Sequence, residues 1–265
     1  AIVNDNVVML GNYFFNLSLV RGSQKSALFE TGISGIIDSV ILQLEDLGVE
    51  PDYLVLSHPH SDHITGLTGL CKRFPKAEII TAKGAQEFVS HPKAGPLLLR
   101  EDGFMSLGLE KKGIRPGRPP LETVPDLKGA RTVEETTRLD LGNLDLELIP
   151  VQGHSPGNLM GWVESTRVLF CSDSLGFHFP GRGFWPLFFT GADTYLKGLD
   201  RIRDLDPRIL CPAHQGPLKE KAVPQKIQES IETTLEAIKR INTTDLSDED
   251  LALEMFQESY KDEFT

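Results

Sequence analysis

Between residues 53 and 63 a short apolar run, Tyr53-Leu-Val-Leu56, passes directly into Ser57-His58-Pro59-His60-Ser61-Asp62-His63. Three of the seven histidines of this 265-residue chain fall within six positions. Imidazoles crowded together in this way call for a metal ion, because neutral ring nitrogens offer lone pairs and little else to one another. The apolar run reads as a buried strand, and residues 64–74 read as a helix. The cluster therefore sits at the carboxyl end of a strand, where α/β folds gather their ligands.

Apolar periodicity extends this reading along the chain. Residues 6–10, 14–20 and 26–30 alternate as strands. Residues 36–47 carry Ile37, Val40, Ile41 and Leu44 at helical spacing, with Gly48 as the stop. Further strands are expected at 77–82, 138–141, 144–150, 159–164, 168–171 and 209–211, and helices at 85–90 and 192–204. From about 92 to 135 the pattern loosens around Pro116, Pro119, Pro120 and Pro125, which predicts an insertion that is partly helical and partly irregular. A helical tail is expected over about 221–265, with Ile227, Ile231, Leu235, Ile238 and Ile241 forming one stripe. Ser247 and Asp250 resemble a helix-starting capping box. The whole, 1–265, reads as one domain of α/β class.

Composition narrows the functional classes. The formal charge is −11, from 27 basic and 38 acidic residues. That balance argues against a nucleic-acid partner, whose affinity comes from neutralised phosphates, and against an anionic membrane. With no basic stretch and long apolar run at its start, the sequence reads as cytoplasmic. Cys71, Cys171 and Cys211 are odd in number and widely spaced, as expected of reduced thiols.

In a turn after a strand, His58 and His60 can aim at one ion while Asp62 and His63 reach another. Each ion needs further ligands, and three candidates stand at or just past predicted strands: His154 in Gly-His-Ser-Pro-Gly, Asp173 in Cys-Ser-Asp-Ser, and His214 in Pro-Ala-His-Gln-Gly. Nitrogen and oxygen donors of this kind suit zinc or iron, with manganese also accommodated. After Asp173, Phe177, Phe179, Phe184, Trp185, Phe188 and Phe189 crowd one segment that Gly181 and Gly183 allow to loop over the metals, so an apolar substrate wall, a filled core or a homodimer contact is expected there. His178, Phe184 and Trp185 are the candidate substrate contacts.

The order His-x-His-x-Asp-His, His-Ser-Pro-Gly, Ser-Asp and His-x-Gly resembles the metallo-β-lactamase superfamily over roughly residues 6–220. Within it, Ala27-Leu-Phe-Glu-Thr-Gly-Ile-Ser34, Asp173-Ser-Leu-Gly176 and Trp185-Pro-Leu are similar to the thioesterases and response proteins of the alkylquinolone pathway. The resemblance implies a four-layer αβ/βα sandwich with C-terminal helices and two divalent metal ions. His58, His60 and His154 would hold the first, Asp62, His63 and His214 the second, and Asp173 would bridge them. It further implies hydrolysis of a small-molecule thioester, lactone or related carboxylic derivative by a metal-bridging hydroxide, with Asp62 orienting it. Glu30 stands where most members carry Asp before Thr-Gly. It is expected either to support the metal loop from behind the ligands or to be an exposed Glu. An iron oxidoreductase resembling sulfur dioxygenases, a small-molecule phosphodiesterase and a non-enzymatic regulator are the competing expectations.

Overall fold

The computed structural model describes residues 1–259. Strands β1 (Val7–Gly11), β2 (Asn16–Arg21) and β3 (Ser26–Phe29) form an antiparallel meander. Strands β4 (Tyr53–Val55), β5 (Glu78–Ala82) and β6 (Arg131–Val133) then join in parallel, so that the first sheet runs β1-β2-β3-β4-β5-β6. Parallel neighbours require crossovers, and helices supply them. Helix α1 (Ile37–Asp46) links β3 to β4; α2 (Ser61–Ile64) and α3 (Leu67–Arg73) link β4 to β5; α4 (Ala85–Val89) and α5 (Ala94–Lys111) precede β6.

The second sheet runs β14-β13-β10-β9-β8-β7. Its strands are β7 (Thr137–Asp140), β8 (Asp145–Val151), β9 (Asn158–Val163), β10 (Val168–Phe170), β13 (Ile209–Cys211) and β14 (Leu218–Lys219). A small hairpin of β11 (Phe177–Phe179) and β12 (Gly183–Trp185) stands apart. Helix α6 (Ala192–Asp204) is the crossover to the parallel β13, and α7 (Ala222–Thr243) and α8 (Asp248–Ser259) close the described chain.

Alternating side chains sort the strands into layers. Val7, Phe29, Val55 and Ile80 meet Leu146, Leu148, Leu159 and Phe170 between the sheets, with the Phe29 and Phe170 rings stacked 5.4 Å apart. Leu28 and Leu54 point outward onto Ile37, Val40, Leu44 and Leu70, while Met160, Trp162 and Leu169 pack on Tyr195, Leu199, Ile202 and Ile227. Helix, sheet, sheet and helix are the four layers expected. Each fully buried Leu or Ile contributes about 1.5–3 kcal/mol to holding them together.

Four sequence expectations need correction. The helix expected over 64–74 is two helices and begins earlier, so Asp62 and His63 lie in a first helical turn. The insertion ends in β6, an edge strand in which Arg131 and Thr132 are exposed and Val133 is buried. The segment after Asp173, expected as a loop, contains the β11–β12 hairpin. In α7 the buried face is Val223, Ile227, Ile231 and Ala237, with Ser230 and Thr234 between them, whereas Leu235 and Ile241 face outward. Helix α8 does begin directly after Ser247, whose hydroxyl accepts from the Asp250 N–H at 3.2 Å and donates to its carboxylate at 2.7 Å. The tail beyond residue 259 lies outside the described residues. Among the described residues no helix is long and apolar enough to cross a membrane.

Candidate metal centre

One edge of the sandwich collects the ends of strands from both sheets. β4 ends at Val55 and delivers Ser57, His58 and His60, and α2 presents Asp62 and His63. From the second sheet come His154, between β8 and β9, Asp173, in the 3-10 turn Ser172–Leu175 after β10, and His214, between β13 and β14. All seven expected ligands are brought together in two groups. Donor atoms of His58, His60 and His154 lie within 4.8 Å of one another, as do those of Asp62, His63, Asp173 and His214. The Asp173 Oδ2 stands 3.4 Å from His63 Nε2, 3.7 Å from His154 Nε2 and 4.0 Å from His58 Nε2, so this carboxylate faces both groups.

The outer nitrogens are committed to hydrogen bonds that fix the rings. His63 Nδ1 donates to Glu30 Oε2 at 2.9 Å, His154 Nδ1 to the Leu187 carbonyl at 2.8 Å, and His214 Nδ1 to the Phe14 carbonyl at 2.5 Å. Ser172 Oγ donates to Ser57 Oγ at 3.1 Å, Ser57 Oγ donates to Glu30 Oε2 at 2.7 Å, and His58 Nδ1 donates to Ser57 Oγ at 3.1 Å. In the neutral form of each of these four rings Nε2 is left as a lone pair aimed inward. Glu30 is 4% exposed and adopts φ 80°, a conformation rare for a residue with a side chain. It is the buried carboxylate of the two readings made from sequence.

The chemistry of this donor set fits cations. His58 Nε2 and His154 Nε2 are 3.0 Å apart, two lone pairs facing each other. Two nitrogen ligands of one tetrahedral ion, each about 2.0–2.1 Å from it, stand about 3.3 Å apart. His63 Nε2 is buried without a hydrogen-bond partner, although oxygens of Asp62 and Asp173 lie 3.2 and 3.4 Å away. A positive charge between these atoms reconciles them.

The electrostatics divide along the same line. Burial, with the neighbouring His63, His154 and His60, pushes His58 well below the usual imidazole value, and burial beside His154 lowers His60 to about 4. Burial lowers His154 too, against the pull of Asp173. These three are neutral donors. In the second group burial is outweighed: Asp62, Glu30 and Asp173 raise His63 well above its ordinary value, and Asp62 and Asp173 raise His214. Reciprocally, His63 and His214 hold Asp62 well below the carboxylate range and, with His154, hold Asp173 at about 2, despite burial.

Of the candidate substrate contacts, His178 and Phe184 line a small cavity with Asp173 and His214, and Lys226 Nζ donates to His178 Nε2 at 3.0 Å. Trp185 is not part of that cavity. It faces a separate one of about 370 Å³ with Phe188, Ala237, Ile241 and Leu251, because the β11–β12 hairpin turns successive residues to opposite sides. Aromatic rings collar the cluster: Phe189, 5.5 Å from His154, and Phe177, 5.2 Å from His214, belong to the aromatic segment named from sequence, whereas Phe88, 5.9 Å from His60, and Phe15, 5.9 Å from His214, were missed. Ser57 and Ser172 were also missed, although each adjoins a ligand in sequence. Cys171 and Cys211 are buried free thiols, with Cys211 pushed up to about 12 by burial.

The model of the metallo-β-lactamase superfamily matches residues 13–214. The chain belongs to the metallo-β-lactamase superfamily. An acyl-coenzyme A thioesterase, MBLAC2, from Gallus gallus is 24% identical over 208 residues, which is 74% of this chain and 69% of that protein. A hydroxyacylglutathione hydrolase from Synechococcus is 28% identical over 182 residues, 68% of this chain and 56% of that one. Among solved structures, the archaeal superfamily protein ST1585 from Sulfolobus tokodaii superposes with a TM-score of 0.67 at 22% identity, covering 87% and 86% of the two chains. The fold and the His/Asp cluster together point to divalent metal binding by a superfamily member that resembles hydrolases.

Proposed function

We propose that this chain is a dinuclear metal-dependent hydrolase that cleaves a small-molecule thioester, lactone or related carboxylic derivative. The observation that carries the reading is the pair of donor groups facing a shared carboxylate, Asp173, on one edge of the sandwich. His58, His60 and His154 would hold one ion, Asp62, His63 and His214 the other, and Asp173 would serve both. Zinc and iron both suit these ligands. Two bound divalent cations would supply Lewis acidity toward the scissile carbonyl and would make water a nucleophile at neutral pH.

The remaining work falls to the protein. The Asp62 carboxylate, side-chain exposure 24%, is more open than Asp173 or His214 and is placed to accept a hydrogen bond from the attacking water, orienting its lone pair toward the carbonyl. Glu30, the Leu187 carbonyl and the Phe14 carbonyl hold three rings so that no reorganisation is needed during reaction. Phe88 and Phe189 on one side, and Phe15 and Phe177 on the other, offer apolar faces to an acyl or aromatic group and exclude water. Two relatives named for acyl-coenzyme A and hydroxyacylglutathione support an acyl substrate. The substrate is a small molecule, without nucleic-acid or membrane involvement, and the setting is cytoplasmic.

The test is elemental analysis alongside a panel of thioesters, lactones and phosphodiesters. Two metals per chain with turnover of a carboxylic substrate support the reading. Iron with oxygen consumption replaces it with an oxidoreductase, and turnover of phosphodiesters alone replaces it with a phosphodiesterase. Asp173→Asn is expected to lose metal and activity together, and a fully loaded, fully active variant would refute the shared-carboxylate assignment.

A further inference from the structure

The insertion after α4 carries a carboxylate with an unusual set of partners. Asp102, in the middle of α5, is completely buried. Its Oδ1 accepts from the Thr65 hydroxyl at 2.6 Å and the Ser34 N–H at 3.1 Å, and its Oδ2 from the Ser34 hydroxyl at 2.6 Å and the Leu121 N–H at 2.9 Å. Four donors saturate both oxygens, which is what keeps a buried carboxylate from being a liability. The residue before it, Glu101, accepts from the Ser61 hydroxyl at 2.6 Å.

The placement of these partners is the point. Ser61 stands between His60 and Asp62, and Thr65 lies two residues beyond His63. Ser34 closes the segment that begins with Glu30, the acceptor for His63. Thr31 in that segment donates its hydroxyl to the His63 carbonyl, and the Gly66 N–H donates to the Gly32 carbonyl at 2.9 Å. The two segments that present Glu30 and the first four ligands are thus tied to each other, and both are tied to one dipeptide of the insertion. Nothing in the chemistry of packing requires this. An apolar pair would fill the same space without demanding four donors in register.

We propose that Glu101 and Asp102 are positioning residues that clamp the metal loop, so that the affinity of the site for its ions is set partly by the insertion. The proposal rests on the reading of the cluster as a metal site. Asp102→Asn retains the shape but offers one acceptor oxygen instead of two and turns an amide N–H₂ toward a donor such as the Leu121 N–H. Ser61→Ala and Glu101→Ala remove one hydrogen bond next to His60 and Asp62, while Glu101→Gln retains an acceptor for Ser61.

The test measures zinc affinity by competition against a chromophoric chelator, together with the melting temperature of each metal-free protein. Supporting groups behind metal ligands typically change affinity by about 10–100-fold when removed. A loss in that range is expected for Asp102→Asn, a smaller loss for Ser61→Ala and Glu101→Ala, and near-normal affinity for Glu101→Gln. Variants that melt earlier yet compete for zinc as the unsubstituted chain does would reduce the clamp to ordinary packing and overturn the proposal. Should Asp102→Asn fail to fold, the Ser61 and Glu101 substitutions decide. An unsubstituted chain that takes up no zinc and no iron would instead overturn the metal reading itself, and the clamp with it.

Discussion

Glu30 shows how much one side chain can be asked to do. Its Oε2 accepts from both His63 and Ser57, and its φ of 80° is a conformation most residues avoid. Glu30→Gln keeps an acceptor and nearly the same volume but withdraws the charge that makes His63 a stronger donor to metal. Metal affinity is expected to fall by about 10–100-fold with the fold intact, as read by chelator competition and circular dichroism; unchanged affinity would reduce Glu30 to a strained structural residue. His58, His60, Asp62 and His63 were legible in the sequence through their spacing, and His154, Asp173 and His214 through their places at the ends of expected strands and the family pattern. Glu30 was legible only through a family pattern. The carbonyls of Leu187 and Phe14 were not legible at all, since every residue has a carbonyl and only tertiary structure selects one. Trp185 was grouped with His178 and Phe184 by proximity in sequence, and strand alternation separates them.

At the scale of elements, the long periodic segments were read well: 192–204 and 209–211 match α6 and β13, and the 36–47 helix is α1 within a residue or two. β6, β11, β12 and β14 were missed. They are two or three residues long, lie at sheet edges or in the small hairpin, and are mostly half-buried or exposed, so no alternation accumulates. The division of the expected 64–74 helix has a local cause. At Gly66, between α2 and α3, an added Cβ would lie 2.1 Å from the Thr31 carbonyl oxygen and 2.6 Å from Ile37 Cγ1. Here the chain approaches the segment after β3 and the start of α1 too closely for any side chain, and the Gly66 N–H bonds the Gly32 carbonyl instead of continuing a helix. Gly66→Ala is therefore expected to destabilise the protein by about 1–3 kcal/mol, although alanine favours helices, because overpacking against backbone outweighs propensity. Chemical denaturation measures this, and a variant as stable as the parent would show that the contact relaxes freely.

For the whole molecule, the two donor groups pull stability in opposite directions with pH when no metal is present. His58, His60 and His154 have folded values below 6.5; their contribution is present above 6.5 and is lost as pH falls, for His60 through about 4. His63 and His214 have folded values above 6.5; their contribution is complete below 6.5 and is lost as pH rises through those values. The metal-free protein should melt highest near the imidazole range and earlier on either side. Loading with zinc should abolish the alkaline decline, because the ion takes the place of the protons it displaces. Scanning fluorimetry of stripped and loaded protein across that range checks both halves, and identical pH profiles would contradict the account. The site also has a consequence for how the protein comes into being. The donors are spread from His58 to His214, and the Phe14 carbonyl that aligns His214 lies 200 residues earlier. A chain emerging from a ribosome carries His58, His60, Asp62 and His63 long before their partners exist, so any ion taken up then is held by a fragment of its final shell. Faithful choice of metal must wait until the last strands of the second sheet are made, and it is made by the folded product under whatever metals are at hand in that moment.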